Sequence, residues 1–531
     1  MLITKTASAS GKIITLLSLH LGYLLTCNRL LIPALFALTL VSRLPFQSRM
    51  LYHWDSVNFA FAMREFNLAQ EQPQPPGYIV YVWLCRLASN VLGDAQTTMT
   101  SLSILSSALA MIGLYCLGQI MFGRRVGLVA ALFLVTSPLF WFYGEIALPH
   151  TLDTLLIIVA VWWLYATMRG KTNYLFPAVI ILAIAGGVRQ QTLVFLGPLA
   201  LFALRNIGWP RMLLGALFGL LLCLIWFMPL TALSGGISNY FQIMEAFSDR
   251  FQQTTSVLMG AGWPGIQRNL IKLGLYTPYA WGAALIPAAL WAGWLFWRRV
   301  WPQGWEKTVF LALWVIPALL FYALIHMGQQ GLVFVFLPAL LLWSAVGLVH
   351  LTVQRPKVLI AATSILIALN GVVFCFAPEY PLGPGRQRLL TRETLANSDH
   401  YYQDRFEAIK QHFPPESTLI LAANWHHVEY YLPAYRRLAF NIGAKWEHDA
   451  GTPANDNSEA LRTTPAGLGL SPNAQGQTIV VIFDPELGAF NEIATQMNQL
   501  ALAHGGEMFY FAMSGDDQLY LDTDSFGMFQ P

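Results

Sequence analysis

Between about residue 29 and residue 376 the chain returns about eleven times to an apolar stretch near the ~20 residues that carry a helix across a bilayer. The first ends near Leu44. The others fall at roughly 98–121, 126–142, 151–168, 174–188, 192–205, 212–234, 278–297, 308–326, 331–350 and 357–376. Several are short enough to tilt or join, which leaves the count open by one or two. A chain built this way reads as a polytopic α-helical membrane protein. Composition agrees: 11% of residues are charged, where a soluble domain carries about 25%. A net charge of +3 is too small to suggest a nucleic-acid partner.

Charge gives the topology. With the N-terminus in the cytoplasm, the inner connections are Arg124–Arg125, Arg169–Lys171, Arg205–Arg211, Arg298–Lys307 and Arg355–Lys357. Every one is basic, as inner connections should be. The alternate turns near 143–150 and 326–331 contain no Lys or Arg, and the turn near 189 contains only Arg189. Segments 45–97 and 235–277 and the C-terminus then lie outside. Lys5 and Lys12 precede a long apolar run without a convincing small-residue cleavage site, so this stretch reads as retained. Cys27, Cys85, Cys116, Cys223 and Cys375 all lie in or beside apolar segments, which leaves no disulfide framework and no Cys-rich metal site.

Character changes after about residue 378. PEYPLGPGRQR is a Pro/Gly-rich basic linker. STLILAA (417–423) and TIVVIFD (478–484) read as buried strands. HHVEYYLPAY and NEIATQMNQLALAH read as helices, and GEMFYFAM with QLYLDTD as a strand pair around SGDD. Residues 448–476, rich in Gly, Pro, Asn and Thr, read as a loop. The expected division is a membrane module over 1–377 and a small α/β domain over 378–531.

The turns assigned to the outside hold the unusual residues. The first contains HWDSVNFAFAMREFNLAQEQPQPPGYIVYVWLCRL, with Asp55 and Arg64. YGEIALPHTLDTLL places Glu145, His150 and Asp153 close together, GGVRQQT carries Arg189, and HMGQQG carries His326 and Gln329. Each has a plain alternative. Asp55 is a good N-cap for a helix starting at Ser56, Asp153 suits the positive end of its span, and Arg189 suits snorkelling to headgroups. The histidines and aromatics suit an interfacial belt. Their convergence on one membrane face makes them candidates for a shared site. No G-x-x-x-x-G-K-[ST], H-E-x-x-H or G-x-S-x-G motif occurs. No paired mid-span charges point to a proton-coupled transporter.

In four of these pieces the chain resembles the C-type (GT-C) membrane glycosyltransferases, in particular the protein O-mannosyltransferases and the lipid A aminoarabinose transferases. Asp55 followed by a helix and then QPQPPGYIVYVWLCRL resembles the family's first-loop acid and its Pro-Pro-aromatic segment. LPHTLDTLL resembles the acid at the head of the fourth span, here Asp153. GGVRQQTLVFLGPL and HMGQQGLVFVFLPALLLW resemble polar turns before Pro-containing spans. Together they cover roughly 50–350 and leave the C-terminal domain unmatched. One departure stands out: the mannosyltransferases often carry an Asp-Glu pair in the first loop, whereas Ser56 follows Asp55 here, which argues against a protein hydroxyl as acceptor.

The resemblance implies an integral protein of the bacterial inner membrane that moves a sugar from a polyprenyl-phosphate donor to an extracytoplasmic glycolipid, polysaccharide or protein. Membrane lipids surround it, and no nucleic acid takes part. The expected reaction is a single inverting displacement. Asp55 is the expected base and Arg189 the first phosphate partner, with His326 and Gln329 behind it. Asp153 and Glu145 orient acceptor or sugar or help hold a cation, and His150 and Arg64 are further substrate contacts. No cofactor or metal is required, although a divalent cation is compatible. The rival readings are a transporter or flippase of lipid-linked sugars and a non-catalytic envelope assembly protein. A cavity holding Asp55, Asp153 and Arg189 beneath two short helices of the first loop favours the enzyme.

Overall fold

The computed structural model describes residues 28–300, 304–379, 381–382, 387–441, 461–464, 467–470, 478–484, 497–514, 519–521 and 527–528. The expectation for the N-terminal stretch before residue 28 lies outside the described residues. Helix α1 (Asn28–Arg43) leads through an extended segment into two short helices, α2 (Trp54–Arg64) and α3 (Ile79–Leu92). Then come α4 (Ala95–Phe122), α5 (Arg124–Thr136), α6 (Pro138–Tyr143), α7 (His150–Met168), α8 (Leu175–Val188) and α9 (Gln191–Leu204). After these follow α10 (Trp209–Leu233), α11 (Ile237–Gln252), α12 (Gly262–Trp281), α13 (Leu285–Arg298), α14 (Trp305–Leu324), α15 (Leu337–Leu351) and α16 (Pro356–Phe376).

Among the described residues six helical stretches are long and apolar enough to cross a membrane: Ala95–Phe122, His150–Met168, Trp209–Leu233, Gly262–Arg298, Trp305–Leu324 and Pro356–Phe376. Shorter apolar helices accompany them at Leu30–Phe46, Ile79–Leu92, Thr172–Val188, Gln191–Leu204 and Leu337–Leu351. The stretch expected as one span at 126–142 is two helices, α5 and α6. Pro138 keeps Ser137 out of the helical region (ψ 118°), and the Ser137 hydroxyl then accepts from Phe140 N at 3.4 Å to start the next helix.

Helices α4 and α7 form the centre, each packed against several neighbours. The α4–α5 crossing is close because both helices offer glycine: a Cβ on Gly118 would stand 2.6 Å from the Gly127 Cα. Helix α10 is apolar all round and presents Leu213, Leu214, Leu217, Leu220, Leu221 and Ile225 outward, a surface that suits lipid. The chain's alternation separates two ends of the bundle. Arg124, Arg169, Arg205 and Arg355 lie at helix ends remote from Asp153, Arg189 and His326. At that basic end Arg205 pairs with Glu306, tying α9 to α14.

The C-terminal part folds around α17 (Arg392–His412), β1 (Thr418–Ala422), α18 (Trp425–Tyr431), β2 (Arg436–Asn441), β3 (Thr478–Ile482), β4 (Asn498–Ala501), β5 (Glu507–Met513) and β6 (Gly527–Met528). The sheet runs β6–β2–β1–β3–β5–β4, with β1 parallel to β2 and β3 and the remaining pairs antiparallel. Strand β1 is buried throughout, as a central parallel strand should be. Phe406, Ile409, Ile420, Val428, Val481 and Phe483 build a core of their own.

Three expectations change here. Asn498–Ala501, expected within a helix, is strand β4, because β5 offers it an antiparallel edge. Strand β5 does not pair with 519–521, which instead joins Gly467–Leu470 and Leu461–Thr464 in a second small sheet. Those last two strands lie in the stretch expected to be loop. Helix α17 is absent from the sequence-based expectation; at its start Thr391 N donates to the Thr394 hydroxyl at 3.1 Å.

Candidate active site

A cavity of about 470 Å³ opens at the end of the bundle opposite the basic connections. Segments far apart in sequence line it: Asp55 from α2, His150 and Asp153 from the first turn of α7, Arg189 between α8 and α9, and His326 and Gln329 after α14. The two short helices of the first loop are present as α2 and α3, and Asp55, Asp153 and Arg189 share the one cavity.

The two aspartates sit in different surroundings. Asp153 is 4% exposed at its side chain. Arg189 Nη1 lies 3.4 Å from its Oδ2, and the Thr192 hydroxyl donates to Oδ1 at 2.9 Å. The pair is local in origin: Arg189 ends α8 and Thr192 opens α9, so one turn supplies both donors. Asp55 is 20% exposed, and its carboxylate accepts from the Gln329 side-chain amide. His53 caps α2 by accepting the Asp55 backbone N–H on Nδ1 at 3.0 Å. The same nitrogen lies 3.7 Å from the Asp55 carboxylate.

Other polar groups face the same space. His150 stacks edge-on to Tyr143 with ring centroids 4.8 Å apart, and neither imidazole nitrogen has a partner among the described residues. Gly331 makes this approach feasible: a Cβ there would stand 2.5 Å from the His150 ring and 2.7 Å from Tyr143. His326 Nδ1 lies 3.1 Å from the Thr255 hydroxyl, and burial with Lys272 and Arg268 nearby pushes its pKa down to about 4. It is therefore a neutral imidazole at ordinary pH. Asn269, fully buried, holds that corner by donating to Thr255 O (3.0 Å) and accepting from Met327 N (3.1 Å).

The Pro-rich loop forms the rim. Gln74, Pro75, Pro76 and Tyr78 line the cavity, and Gln190 donates to Pro76 O at 3.3 Å and to the Tyr240 hydroxyl at 3.0 Å. Tyr78 has φ 40° and Glu71 φ 56°, left-handed conformations that side chains rarely adopt. Both residues line the cavity, so the local strain sits at the site, a placement common for functional loops.

Two of the expected substrate contacts lie elsewhere. Glu145 is fully buried away from the cavity, where Trp141 Nε1 donates to it at 2.8 Å. Burial holds its carboxyl well above the usual range, with Arg43 partly opposing that shift. Arg64 ends α2 and lies over the Tyr430 ring at 4.8 Å. It is nine residues after Asp55, about two and a half helical turns, which directs it to the opposite side of the helix. Conversely, Glu71, Tyr322, Trp425 and His426 line the cavity without having been singled out. Glu71 stands in the same motif as Gln74 and the prolines, a usable signal. Trp425 and His426 come from the C-terminal part, where only tertiary packing brings them in. Among the described residues no group of three or more His, Cys, Asp or Glu is arranged to hold a metal ion.

Residues 73–232 match the family model for dolichyl-phosphate-mannose-protein mannosyltransferases. No curated protein sequence matches the chain significantly. Among solved structures, ArnT from Cupriavidus metallidurans bound to undecaprenyl phosphate aligns with a TM-score of 0.58 at 12% identity, covering 91% of this chain and 97% of that one. The apo form of the same protein aligns with a TM-score of 0.54 at 12% identity, covering 95% and 98%. The resemblance to GT-C membrane glycosyltransferases is thus borne out, in overall fold and in the 73–232 segment. With its apolar helices, the chain is an integral membrane protein.

Proposed function

We propose that this chain is an inverting glycosyltransferase that takes a sugar from a polyprenyl-phosphate donor and delivers it to an acceptor outside the cytoplasmic membrane. The observation that carries the reading is the single cavity lined by Asp55, the Asp153–Arg189 pair, His150, His326 and Gln329. A site at one end of a lipid-embedded bundle suits a donor whose sugar phosphate stays at the interface. ArnT, which shares the fold, has been crystallised with undecaprenyl phosphate. The basic connections at the remote end support a cytoplasmic N-terminus and an outward-facing cavity.

In the displacement, the acceptor oxygen forms a bond to the anomeric carbon as the bond from that carbon to the phosphate oxygen breaks. The electron pair leaves with the lipid phosphate, and the acceptor's proton passes to Asp55. Asp55 suits this role because its carboxylate is accessible and is oriented by a neutral amide, with no Lys or Arg within ion-pair distance among the described residues. Asp153 does not suit it, since Arg189 and Thr192 occupy its oxygens. Arg189 keeps Nε free of a partner among the described residues, and its guanidinium steadies the departing phosphate, with neutral His326 as a further hydrogen-bonding group. His150 serves the sugar hydroxyls.

The test is release of undecaprenyl phosphate from undecaprenyl-phosphate-linked sugars by purified protein. Asp55→Asn keeps the volume and removes the base, so turnover falls ~10²–10⁴-fold with the protein still folded. Near-normal turnover by this variant reduces Asp55 to a polar residue in the first turn of α2.

A further inference from the structure

The cavity has a wall that the bundle does not provide. Helix α18, from the C-terminal part, packs against α2 and brings Trp425 and His426 to the cavity beside Trp54 and His53. The His426 ring packs against both indoles, with centroids 3.8 Å from Trp54 and 3.6 Å from Trp425, and Trp54 meets Trp425 edge-on at 5.7 Å. His426 is 6% exposed, and its Nδ1 has no partner among the described residues.

This wall is held firmly. Asp399 on α17 accepts from the Ser48 hydroxyl, Arg49 N and Met50 N, each at 2.9 Å. The Tyr431 hydroxyl accepts from Leu51 N at 3.0 Å, and His427 Nε2 lies 2.8 Å from Leu51 O. Asp484 fixes the turn before α18 by accepting from Ala423 N (2.6 Å) and Asn424 N (3.0 Å). The segment leading to Asp55 and the helix carrying His426 are thereby clamped together.

We infer that Trp54, Trp425 and His426 form the acceptor subsite and that the acceptor is a saccharide. The inference rests on the glycosyltransferase reading above. In an inverting displacement the nucleophile enters on the side of the anomeric carbon away from the leaving phosphate. With Arg189 at the phosphate, the acceptor belongs beside Asp55, and Trp54 is the residue next to Asp55. Indole surfaces suit the apolar C–H face of a pyranose, while its rim of hydroxyls needs groups that both donate and accept. Burial, with His427 and Arg437 nearby, holds His426 far below its usual pKa, so the imidazole is neutral and offers one donor and one acceptor.

The experiment uses the full chain in nanodiscs and reads two quantities. Methyl glycosides of glucose, galactose, mannose and N-acetylglucosamine are screened by saturation-transfer NMR, and undecaprenyl-phosphate-linked glucose, galactose and mannose supply the donors for turnover. At least one glycoside binds through its ring C–H protons and raises turnover as an acceptor. His426→Gln and Trp425→Leu each raise that glycoside's KM by about tenfold, the loss of a hydrogen bond or a stacking contact, and change the donor KM less than twofold. Trp54→Phe keeps an aromatic ring and shows a smaller rise, which guards against a misfolded variant. Unchanged glycoside KM in the variants, a rise confined to the donor KM, or turnover with a Ser/Thr peptide but no glycoside overturns the inference. Glycoside binding that is lost in the variants of a protein that never turns over donor overturns the glycosyltransferase reading instead.

Discussion

The cavity is built from two unlike walls. On the bundle wall, Asp153 and Arg189 are almost wholly buried, paired and fixed by one helix–turn–helix. On the other, Asp55 is partly exposed on a short helix pinned by the C-terminal part, with an amide as its partner. Two aspartates in one cavity therefore have different capacities. On the proposed reading the paired one holds an arginine in place, and the one held by a neutral amide takes the acceptor's proton. A buried ion pair sets geometry at a cost in desolvation, whereas a base must leave an oxygen free for substrate.

The sharpest way to break this comparison is to neutralise each aspartate in turn. Asp153→Asn leaves Arg189 buried without its counter-charge, which costs about 3–5 kcal/mol. The expected outcome is poor yield and a lower unfolding temperature in detergent. Asp55→Asn leaves both near wild type while turnover falls ~10²–10⁴-fold. Equal thermal stability for the two variants would erase the distinction. The double variant Asp153→Asn with Arg189→Gln removes both charges and should regain most of the stability lost in Asp153→Asn, as a double-mutant cycle reports. It should not regain donor turnover.

A smaller effect separates the walls by pH. His427 joins the C-terminal part to Leu51, and burial pushes its pKa down to about 3. In the unfolded chain the value is about 6.5. The unfolded form therefore binds the proton more readily, and the stability this group contributes is complete above about pH 6.5 and lost as pH falls toward 3. By pH 5 the loss is about 2 kcal/mol. Thermal unfolding of wild type and His427→Gln at pH 7.5 and pH 5 checks this, with a flatter pH response expected for the variant. An identical response in both proteins places the titrating group elsewhere.

An effect of similar size belongs to the bundle wall. Gly331→Ala introduces a methyl that meets the His150 and Tyr143 rings. Overpacking of this kind costs about 1–3 kcal/mol, and displacement of His150 should raise the donor KM more than the acceptor KM. Unchanged kinetics with both substrates would remove His150 from the sugar-binding role.

Much of the bundle wall was legible because it follows local rules. Apolar length marked the helices, and basic residues marked one end of them. Asp153, Arg189, His326 and Gln329 had to meet at the other end because each sits within a turn of a helix terminus. Rotation about a helix was harder to read. Glu145 lies near Asp153 in sequence, but it follows Trp141 by one turn and is drawn back to it. Arg64 shares α2 with Asp55 and faces Tyr430. The C-terminal wall was least legible. Leu395, Tyr402, Phe406 and Ile409 recur at helical spacing and mark α17, but nothing local tells that Asp399 on that helix captures Ser48–Met50. Docking across some 350 residues is a property of two finished surfaces.

The most direct measurement of the division of labour is the affinity of wild type, Asp55→Asn and Arg189→Gln for undecaprenyl phosphate, titrated against each protein in nanodiscs. Charge-assisted hydrogen bonds contribute roughly 1.5–3 kcal/mol, so Arg189→Gln should raise Kd about 10–100-fold. Asp55→Asn should leave it within about twofold, because this carboxylate serves the acceptor. The reverse pattern, with Asp55→Asn weakening the lipid phosphate and Arg189→Gln binding it normally, would contradict the assignment of the two walls.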